Sequence, residues 1–122
     1  MNVVIIQYNA GNIRSVDFAL QRLGIRAGIT DNFDEIRAAD RVIFPGVGEA
    51  SSAMDYLKAR KLDQLIVDLK QPVLGICLGM QLMCRESEEN NTECLGIFDL
   101  KVKRFPEAGF KIPQIGWNNI YN

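Results

Sequence analysis

Residues 73–81 read Val-Leu-Gly-Ile-Cys-Leu-Gly-Met-Gln, and this stretch decides how the chain folds. An apolar run passes into helix-forming residues through the single residue Cys77, with Gly75 and Gly79 two positions away on either side. This G-x-nucleophile-x-G pattern, here with cysteine, is typical of a strained strand-to-helix turn that presents a reactive side chain. Small residues are needed on both sides because larger ones would clash with the backbone of the turn. The stretch therefore predicts a strand, an elbow at Cys77 and a helix over residues 79–86.

The chain before the elbow alternates short apolar strands with amphipathic helices. Ile13, Val16, Leu20 and Leu23 recur at helical spacing on one face, after Asn12, which can cap that helix. Four such alternations imply βαβ units, right-handed crossovers and a parallel sheet with helices on both faces. The sequence therefore predicts an α/β fold with a doubly wound, mostly parallel sheet. Predicted strands cover residues 3–7, 26–30, 41–44 and 73–76, with helices over 33–39 and from Ser51 or Ser52 onward to Pro72, and short strands or extended loops after Asn91.

The composition is that of one ordinary globular domain. Of 122 residues, 48% are apolar and 24% are charged, and the net charge is -1, so no nucleic-acid-binding surface is expected. The apolar run at residues 3–6 is too short to cross a bilayer and lacks a basic leader, so we expect neither membrane association nor secretion. Cys77, Cys84 and Cys94 are an odd set without C-x-x-C spacing, which disfavours a disulfide or a metal site and fits a reducing cytoplasm. We expect no cofactor, and we expect Cys84 and Cys94 to be packing residues.

A glycine-rich turn follows the third predicted strand. Residues 45–48 read Pro-Gly-Val-Gly, and the carboxyl ends of parallel strands are where α/β sheets build their sites. We therefore expect the backbone N–H groups of Val47 and Leu78 to face the oxygen that becomes negative when Cys77 attacks a carbonyl. The start of the following helix would favour the Cys77 thiolate. Two plainer interpretations stay open, a buried structural cysteine and an ordinary strand-ending turn.

Polar side chains after the elbow are candidates for binding a small polar substrate. Gln81 lies one helical turn beyond Cys77 and on the same side, and Glu86, Glu88 and Glu89 follow within about three turns. Glu88 is expected to face solvent. The chain contains no histidine. A cysteine nucleophile that needs an imidazole base therefore has to obtain it from outside these residues.

Several stretches resemble one family. Residues 75–81 are similar to the nucleophile motif of the class I (triad-type) glutamine amidotransferases. Residues 8–16, 45–48, 86–89 and 111–118 resemble one branch of that family, the glutaminase subunits of imidazole glycerol phosphate synthases. The similarity runs through the whole chain in order, and it implies a flavodoxin-like amidotransferase domain.

The resemblance implies roles for named residues. Such a subunit hydrolyses glutamine to glutamate and ammonia, and passes the ammonia to a (β/α)8-barrel cyclase, its partner in a heterodimer of histidine biosynthesis. Cys77 would form a γ-glutamyl thioester, and the N–H groups of Val47 and Leu78 would stabilise its oxyanion. Gly46, Gly48, Gln81 and Glu89 would line the glutamine pocket, and Tyr8, Gly11 and Asn12 would lie toward the cyclase.

The chain departs from the resembled branch in four ways. The family's base is a histidine in an H-x-E segment, and neither it nor its carboxylate partner is present. Residues 1–122 are therefore expected to be the N-terminal portion of one domain, nearly inactive alone. Gln7 replaces the usual aspartate, Gln114 replaces a histidine, and residues 49–52 replace an A-F-G stretch. Without the last strands and helix, one flank of the sheet would be uncovered, which predicts self-association through an apolar patch.

Two other functions stay open. A catalytically incomplete amidotransferase-like module that docks a partner would account for the missing histidine. The glutaminase of pyridoxal phosphate synthase is the other candidate, but residues 46–49 read Gly-Val-Gly-Glu where a G-G-E-S-type turn is expected.

Overall fold

The computed structural model of the chain describes all 122 residues and contains a four-stranded parallel sheet. Its strands run in the order β2-β1-β3-β4, and every neighbouring pair is parallel. The predicted α/β fold with a mostly parallel sheet is thereby confirmed. Each observed strand is rich in the β-branched and other apolar residues that identified it. The strands are β1 (Val3–Ile6), β2 (Ala27–Thr30), β3 (Arg41–Phe44) and β4 (Val73–Gly75).

Five α-helices connect and follow these strands. The second is capped by Asn32, whose side chain accepts hydrogen bonds from the N–H groups of Asp34 and Glu35. Asn12 precedes the first helix in a left-handed conformation and its side chain accepts no such bond, so its predicted capping role is wrong. The helices are α1 (Ile13–Arg22), α2 (Phe33–Ala38), α3 (Ala50–Ala59), α4 (Leu62–Asp68) and α5 (Leu78–Leu82).

The apolar spacing after residue 50 belongs to two helices, α3 and α4, where one was predicted. Lys61 has a left-handed backbone (φ 58°), and this residue separates the two. Both helices bury the side chains that the pattern identified, among them Met54, Leu57, Leu62 and Leu65. The pattern was right about burial, but the break is made by a lysine, with no glycine or proline to mark it.

Helices cover both faces of the sheet, as predicted. On one face, Val16 and Leu20 of α1 pack against Ile5 and Ile43. On the other face, a larger core of 19 buried residues joins the sheet to the remaining helices. Leu23, predicted on the buried side of α1, is 74% exposed because α1 ends before it.

The α1 face of the sheet is bare at β4. Leu74 lies opposite Ile43 in the strand register and is 60% exposed, and Ile76 just beyond it is also exposed. In addition, β4 is an edge strand because it pairs only with β3. The predicted uncovered flank is therefore present, whereas self-association through it stays a prediction.

The chain after the elbow forms a second, smaller sheet. The helix predicted over residues 79–86 is confirmed only in its first part, because α5 ends at Leu82 and is followed by a strand, β5 (Cys84–Ser87). This strand pairs antiparallel with β6 (Thr92–Glu93) and parallel with β7 (Phe98–Val102). Cys84, predicted within the helix, is therefore the first residue of a strand.

Contacts with later residues end α5 early. The N–H of Leu95 donates to the carbonyl of Leu82 at 2.9 Å, and the N–H of Phe98 donates to that of Met83 at 3.0 Å. Carbonyls at the end of a helix need partners of this kind. Because the partners lie more than ten residues ahead in the chain, local spacing alone still predicts helix.

Residues 103–122 contain no helix or strand, in line with the loops that the sequence allowed there. Most of their large apolar side chains are exposed, and Trp117, the only tryptophan, is fully exposed. No helix in the chain combines the length and the apolarity that crossing a membrane requires.

Candidate active site

Cys77 lies at a strained elbow between β4 and α5. Its backbone has φ 52° and ψ −118°, a combination that residues other than glycine rarely adopt. Its side chain is exposed, and it occupies the N-cap position of α5. The predicted elbow is therefore confirmed, and the alternative of a buried structural cysteine is wrong.

Two glycines make the elbow possible. A Cβ on Gly75 would lie 2.7 Å from the Cα of Met80, and a Cβ on Gly79 would lie 1.9 Å from the carbonyl oxygen of Phe44. Both contacts are with backbone atoms, which cannot step aside as the end of a side chain can. The absence of side chains at these two positions lets α5 start directly against the end of β3.

The loop at residues 45–48 lies beside the elbow. The N–H of Ile76 donates to the carbonyl of Phe44 at 3.0 Å, and the N–H of Leu78 donates to that of Gly46 at 3.2 Å. Gly48 has φ 114°, a conformation that favours glycine. The structure thus brings together the two segments that the sequence assigned to one site.

Neither predicted oxyanion donor is free in this conformation. Leu78 N–H is bound to the carbonyl of Gly46, and Val47 N–H donates to the carbonyl of Ala10 at 3.3 Å. The carbonyl of Gly46 and the N–H of Val47 belong to one peptide unit. A flip of this peptide unit would break both hydrogen bonds and free both N–H groups. The oxyanion role of these amides stays a prediction.

Tyr8 is hydrogen-bonded to the loop of residues 45–48. Its hydroxyl donates to the carbonyl of Pro45 at 2.5 Å, and its ring lies 5.3 Å from that of Phe44. Burial raises the pKa of Tyr8 above its ordinary value, and the nearby charge of Cys77 raises it further. The side chain of Tyr8 is buried within the chain, and its predicted place at a partner interface stays a prediction.

The other two residues of that predicted interface, Gly11 and Asn12, are exposed. A Cβ on Gly11 would lie 3.6 Å from the side chain of Val47, so this position is close to the loop of residues 45–48. Their contact with a partner stays a prediction.

A cavity of about 500 Å³ lies beside α5, and Cys77 is not among the residues that line it. It is lined by Gln81 of α5 and by Glu89, two of the four predicted pocket residues, whereas Gly46 and Gly48 are not among its lining residues. Two positively charged lining residues, Lys103 and Arg104, were not predicted from the sequence. They directly follow β7, and this pair of basic residues was the signal that could have identified them. The remaining lining residues are Ser87, Glu88, Val102, Ile112 and Pro113.

The acidic residues after the elbow lie on a strand and a turn, where helical spacing was expected. Glu89 opens a short 3₁₀ turn, Glu89–Asn91, after β5, and no helix carries it. Glu88, predicted to face only solvent, accepts a hydrogen bond from the N–H of Arg104 at 2.9 Å. Glu86 stays on β5, where its carboxylate pairs with Lys101 at 3.6 Å.

Comparison with known proteins identifies the family. A sequence profile described as Glutamine amidotransferase class-I matches residues 4–119. The chain belongs to this family. The match covers the elbow, the loop of residues 45–48 and nearly all of the exposed C-terminal segment.

Individual relatives of this amidotransferase chain are closely similar. It is 61% identical over 122 residues to the imidazole glycerol phosphate synthase subunit HisH of Bacteroides fragilis, and 44% identical over 122 residues to that of Escherichia coli. The chain spans 62% of the length of each of these curated relatives. Among solved structures, a crystal structure of glutamine amidotransferase matches with a TM-score of 0.71 and 21% identity, over 85% of this chain and 57% of that one. That likeness supports the fold.

The amidotransferase chain has an unusual cap on α3, just after the loop of residues 45–48. The side chain of Glu49 accepts hydrogen bonds from the N–H groups of Ser51 at 2.8 Å and Ser52 at 3.1 Å, so α3 starts at Ala50, before either predicted serine. The serine hydroxyl and these amides lower the pKa of Glu49 to about 2. The N–H of Ala50 donates to Oε2 of Glu89 at 3.0 Å.

The remaining cysteines of the amidotransferase chain lie away from the elbow. Cys94 is buried, and burial raises its thiol pKa. Cys84 is half-buried at the start of β5. Nowhere do three or more His, Cys, Asp or Glu side chains gather closely enough to hold a metal ion.

Proposed function

We propose that this chain forms the nucleophile-bearing part of a glutaminase that releases ammonia from glutamine for imidazole glycerol phosphate synthesis. The observation that carries the proposal is the exposed Cys77 at a strained elbow with positive φ beside the loop of residues 45–48. The high identity to HisH subunits supports the choice of this branch of the family. The three unpaired cysteines support a reducing compartment, for which we propose the cytoplasm.

In the proposed reaction, the sulfur of Cys77 attacks the side-chain amide carbon of glutamine. The carbon–nitrogen bond breaks, the nitrogen takes up a proton and leaves as ammonia, and a γ-glutamyl thioester remains on Cys77. Water then hydrolyses the thioester to glutamate and restores the thiol. Because the chain has no histidine, the imidazole base implied by the family has to come from residues that these 122 do not include.

The proposed oxyanion donors are Val47 and Leu78. For both to serve, the peptide unit between Gly46 and Val47 has to turn, which breaks its hydrogen bonds to Leu78 and Ala10. Each removed hydrogen bond costs about 1 kcal/mol in net terms, so the turn is an accessible change when a developing negative charge replaces the lost partners.

The proposed glutamine pocket is the cavity beside α5. Gln81 and Glu89 offer an amide and a carboxylate, and Lys103 and Arg104 are further lining residues that carry positive charge. A cavity with both signs of charge suits an α-amino acid, whose ammonium and carboxylate groups need opposite partners. Gly46 and Gly48 would approach the substrate through the loop after its peptide turns.

The proposed partner is a (β/α)8-barrel cyclase that receives the ammonia in a heterodimer. The exposed Gly11 and Asn12 are the proposed contact residues, and Gly11 lies close to Val47. Docking at this point would therefore act near the peptide unit that has to turn.

The alternative is a binding module that docks a partner without hydrolysing glutamine. The test completes this chain with the segment of the Bacteroides fragilis relative that follows the matched region. The completed protein is treated with a glutamine analogue that carries an electrophile at the amide position, and the modified cysteine is located by mass spectrometry. We expect modification of Cys77 that glutamine suppresses, none in Cys77→Ser, and glutamate release when the cyclase is added. Absence of glutamine-sensitive modification would leave only the binding module.

A further inference from the structure

Glu49 does more than cap its helix. Both of its carboxylate oxygens are engaged: Oε1 accepts from Ser51 N–H at 2.8 Å, and Oε2 accepts from Ser51 Oγ at 2.7 Å and Ser52 N–H at 3.1 Å. Serine, threonine, aspartate and asparagine are the usual capping residues, and glutamate is not among them. The longer side chain therefore calls for an explanation beyond capping.

A second segment reaches this cap from 41 residues away. The side-chain amide of Asn90 donates to Oε1 of Glu49 at 3.0 Å, and to Oγ of Ser51 at 3.3 Å. Asn90 itself sits in a left-handed conformation (φ 50°) within its 3₁₀ turn. The contact thus joins the start of α3 to a turn that local geometry alone does not favour.

The turn held in this way carries Glu89. One oxygen of that carboxylate, Oε2, accepts from the N–H of Ala50 at 3.0 Å, which leaves Oε1 for a ligand in the cavity. The backbone of Glu89 is held on both sides, because its N–H donates to Ser87 Oγ and its carbonyl accepts from Thr92 Oγ1. Glu49 and Glu89 therefore share the positive end of α3.

We infer that Glu49 and Asn90 form a clamp that positions Glu89 to receive the α-ammonium group of glutamine. The inference rests on the proposed function and extends it. Both clamp residues act through Glu89, so they are positioning residues. Because Glu49 directly follows Gly48, the clamp also fixes the distance between the glutamine pocket and the loop beside Cys77.

Three variants separate a clamp from a simple cap. Glu49→Asp keeps a preferred capping carboxylate but is one carbon too short to hold Asn90. Asn90→Gly removes the side-chain amide, and glycine adopts the left-handed backbone conformation of this position without strain. Asn91→Gly is the matched control, because Asn91 also has a positive φ (47°) but is not among the residues whose hydrogen bonds hold the carboxylate of Glu49.

The readout is the rate of Cys77 modification in the completed protein with its cyclase, by two reagents. Iodoacetamide reports only the accessibility of the thiol, whereas the glutamine analogue also needs its α-ammonium group to be bound. We expect Glu49→Asp and Asn90→Gly to slow the analogue about tenfold, the scale of one hydrogen bond to a charged group, and to leave the iodoacetamide rate unchanged. The KM for glutamine should rise by a similar factor, with kcat within about twofold.

Each other outcome overturns the clamp. If the parent is modified by the analogue and both clamp variants match it, Glu49 is only a cap. If Asn91→Gly is slowed as much as Asn90→Gly, the backbone of the turn matters and the amide contact does not. If the parent itself shows no glutamine-sensitive modification, the proposed function fails and the clamp fails with it.

Discussion

Gly79→Ala is the sharpest test of how the elbow is built. The added Cβ would lie 1.9 Å from the carbonyl oxygen of Phe44 and 2.8 Å from that of Pro45, whereas ordinary contact begins near 3.4 Å. Overpacked side chains in a core cost about 1–3 kcal/mol when neighbours can shift. Here the neighbours are backbone atoms of β3 and the loop after it, so we expect a loss of at least about 3 kcal/mol. That is a large share of a total stability of about 5–15 kcal/mol.

Urea unfolding followed by far-ultraviolet circular dichroism measures this loss as a shift in midpoint at constant slope. Gly28→Ala is the matched control, because its Cβ would meet nothing closer than the side chain of Val4 at 3.6 Å. The control should change the free energy of unfolding by less than about 1 kcal/mol. If Gly79→Ala is as stable as the control, the close approach of α5 to β3 is not real and the derivation of the elbow is wrong.

Three further predictions concern the surroundings of the site. Tyr8→Phe should lower the free energy of unfolding by about 1–3 kcal/mol, because the buried carbonyl of Pro45 loses its donor; an unchanged urea midpoint would contradict this. The pKa of Glu49 is about 2 in the folded chain against an ordinary 4.5. Its contribution to stability should therefore be complete above pH 4.5 and vanish as the pH falls toward 2, and Glu49→Gln should flatten the melting temperature in that window. Leu74→Lys should reduce concentration-dependent association in sedimentation velocity, and a parent chain that stays monomeric at every concentration would refute the exposed flank as its cause.

The sheet could be predicted from the sequence because each of its strands is marked locally. The runs that became β1 and β3 are short, apolar and rich in β-branched residues, and each is followed by a turn signal. The elbow could also be predicted from the sequence, because its two glycines stand at fixed positions beside Cys77. A side chain at Gly75 would clash with Met80, and one at Gly79 would clash with Phe44 at the end of β3.

The second sheet could not be predicted, because its causes are not local. β5 exists through pairing with β6 and β7, and the residues that would have extended α5 give their carbonyls to Leu95 and Phe98. For the same reason the strand at residues 84–87 and the turn that carries Glu89 were not expected, whereas the role of Glu89 in binding glutamine stays a prediction. The hydrogen bond from the Tyr8 hydroxyl to the carbonyl of Pro45 could not be predicted either, because it joins residues that are 37 positions apart.

The full solvent exposure of Trp117 determines how the intrinsic fluorescence of this chain behaves. A fully hydrated indole emits at long wavelength whether the core is folded or not, so intrinsic fluorescence should report almost nothing about loss of the sheet. Because it is the only tryptophan, no second emitter masks it. A blue shift, or shielding from acrylamide, on adding another molecule would therefore mark coverage of this residue alone. Docking and melting can be followed separately in one cuvette, without any attached dye.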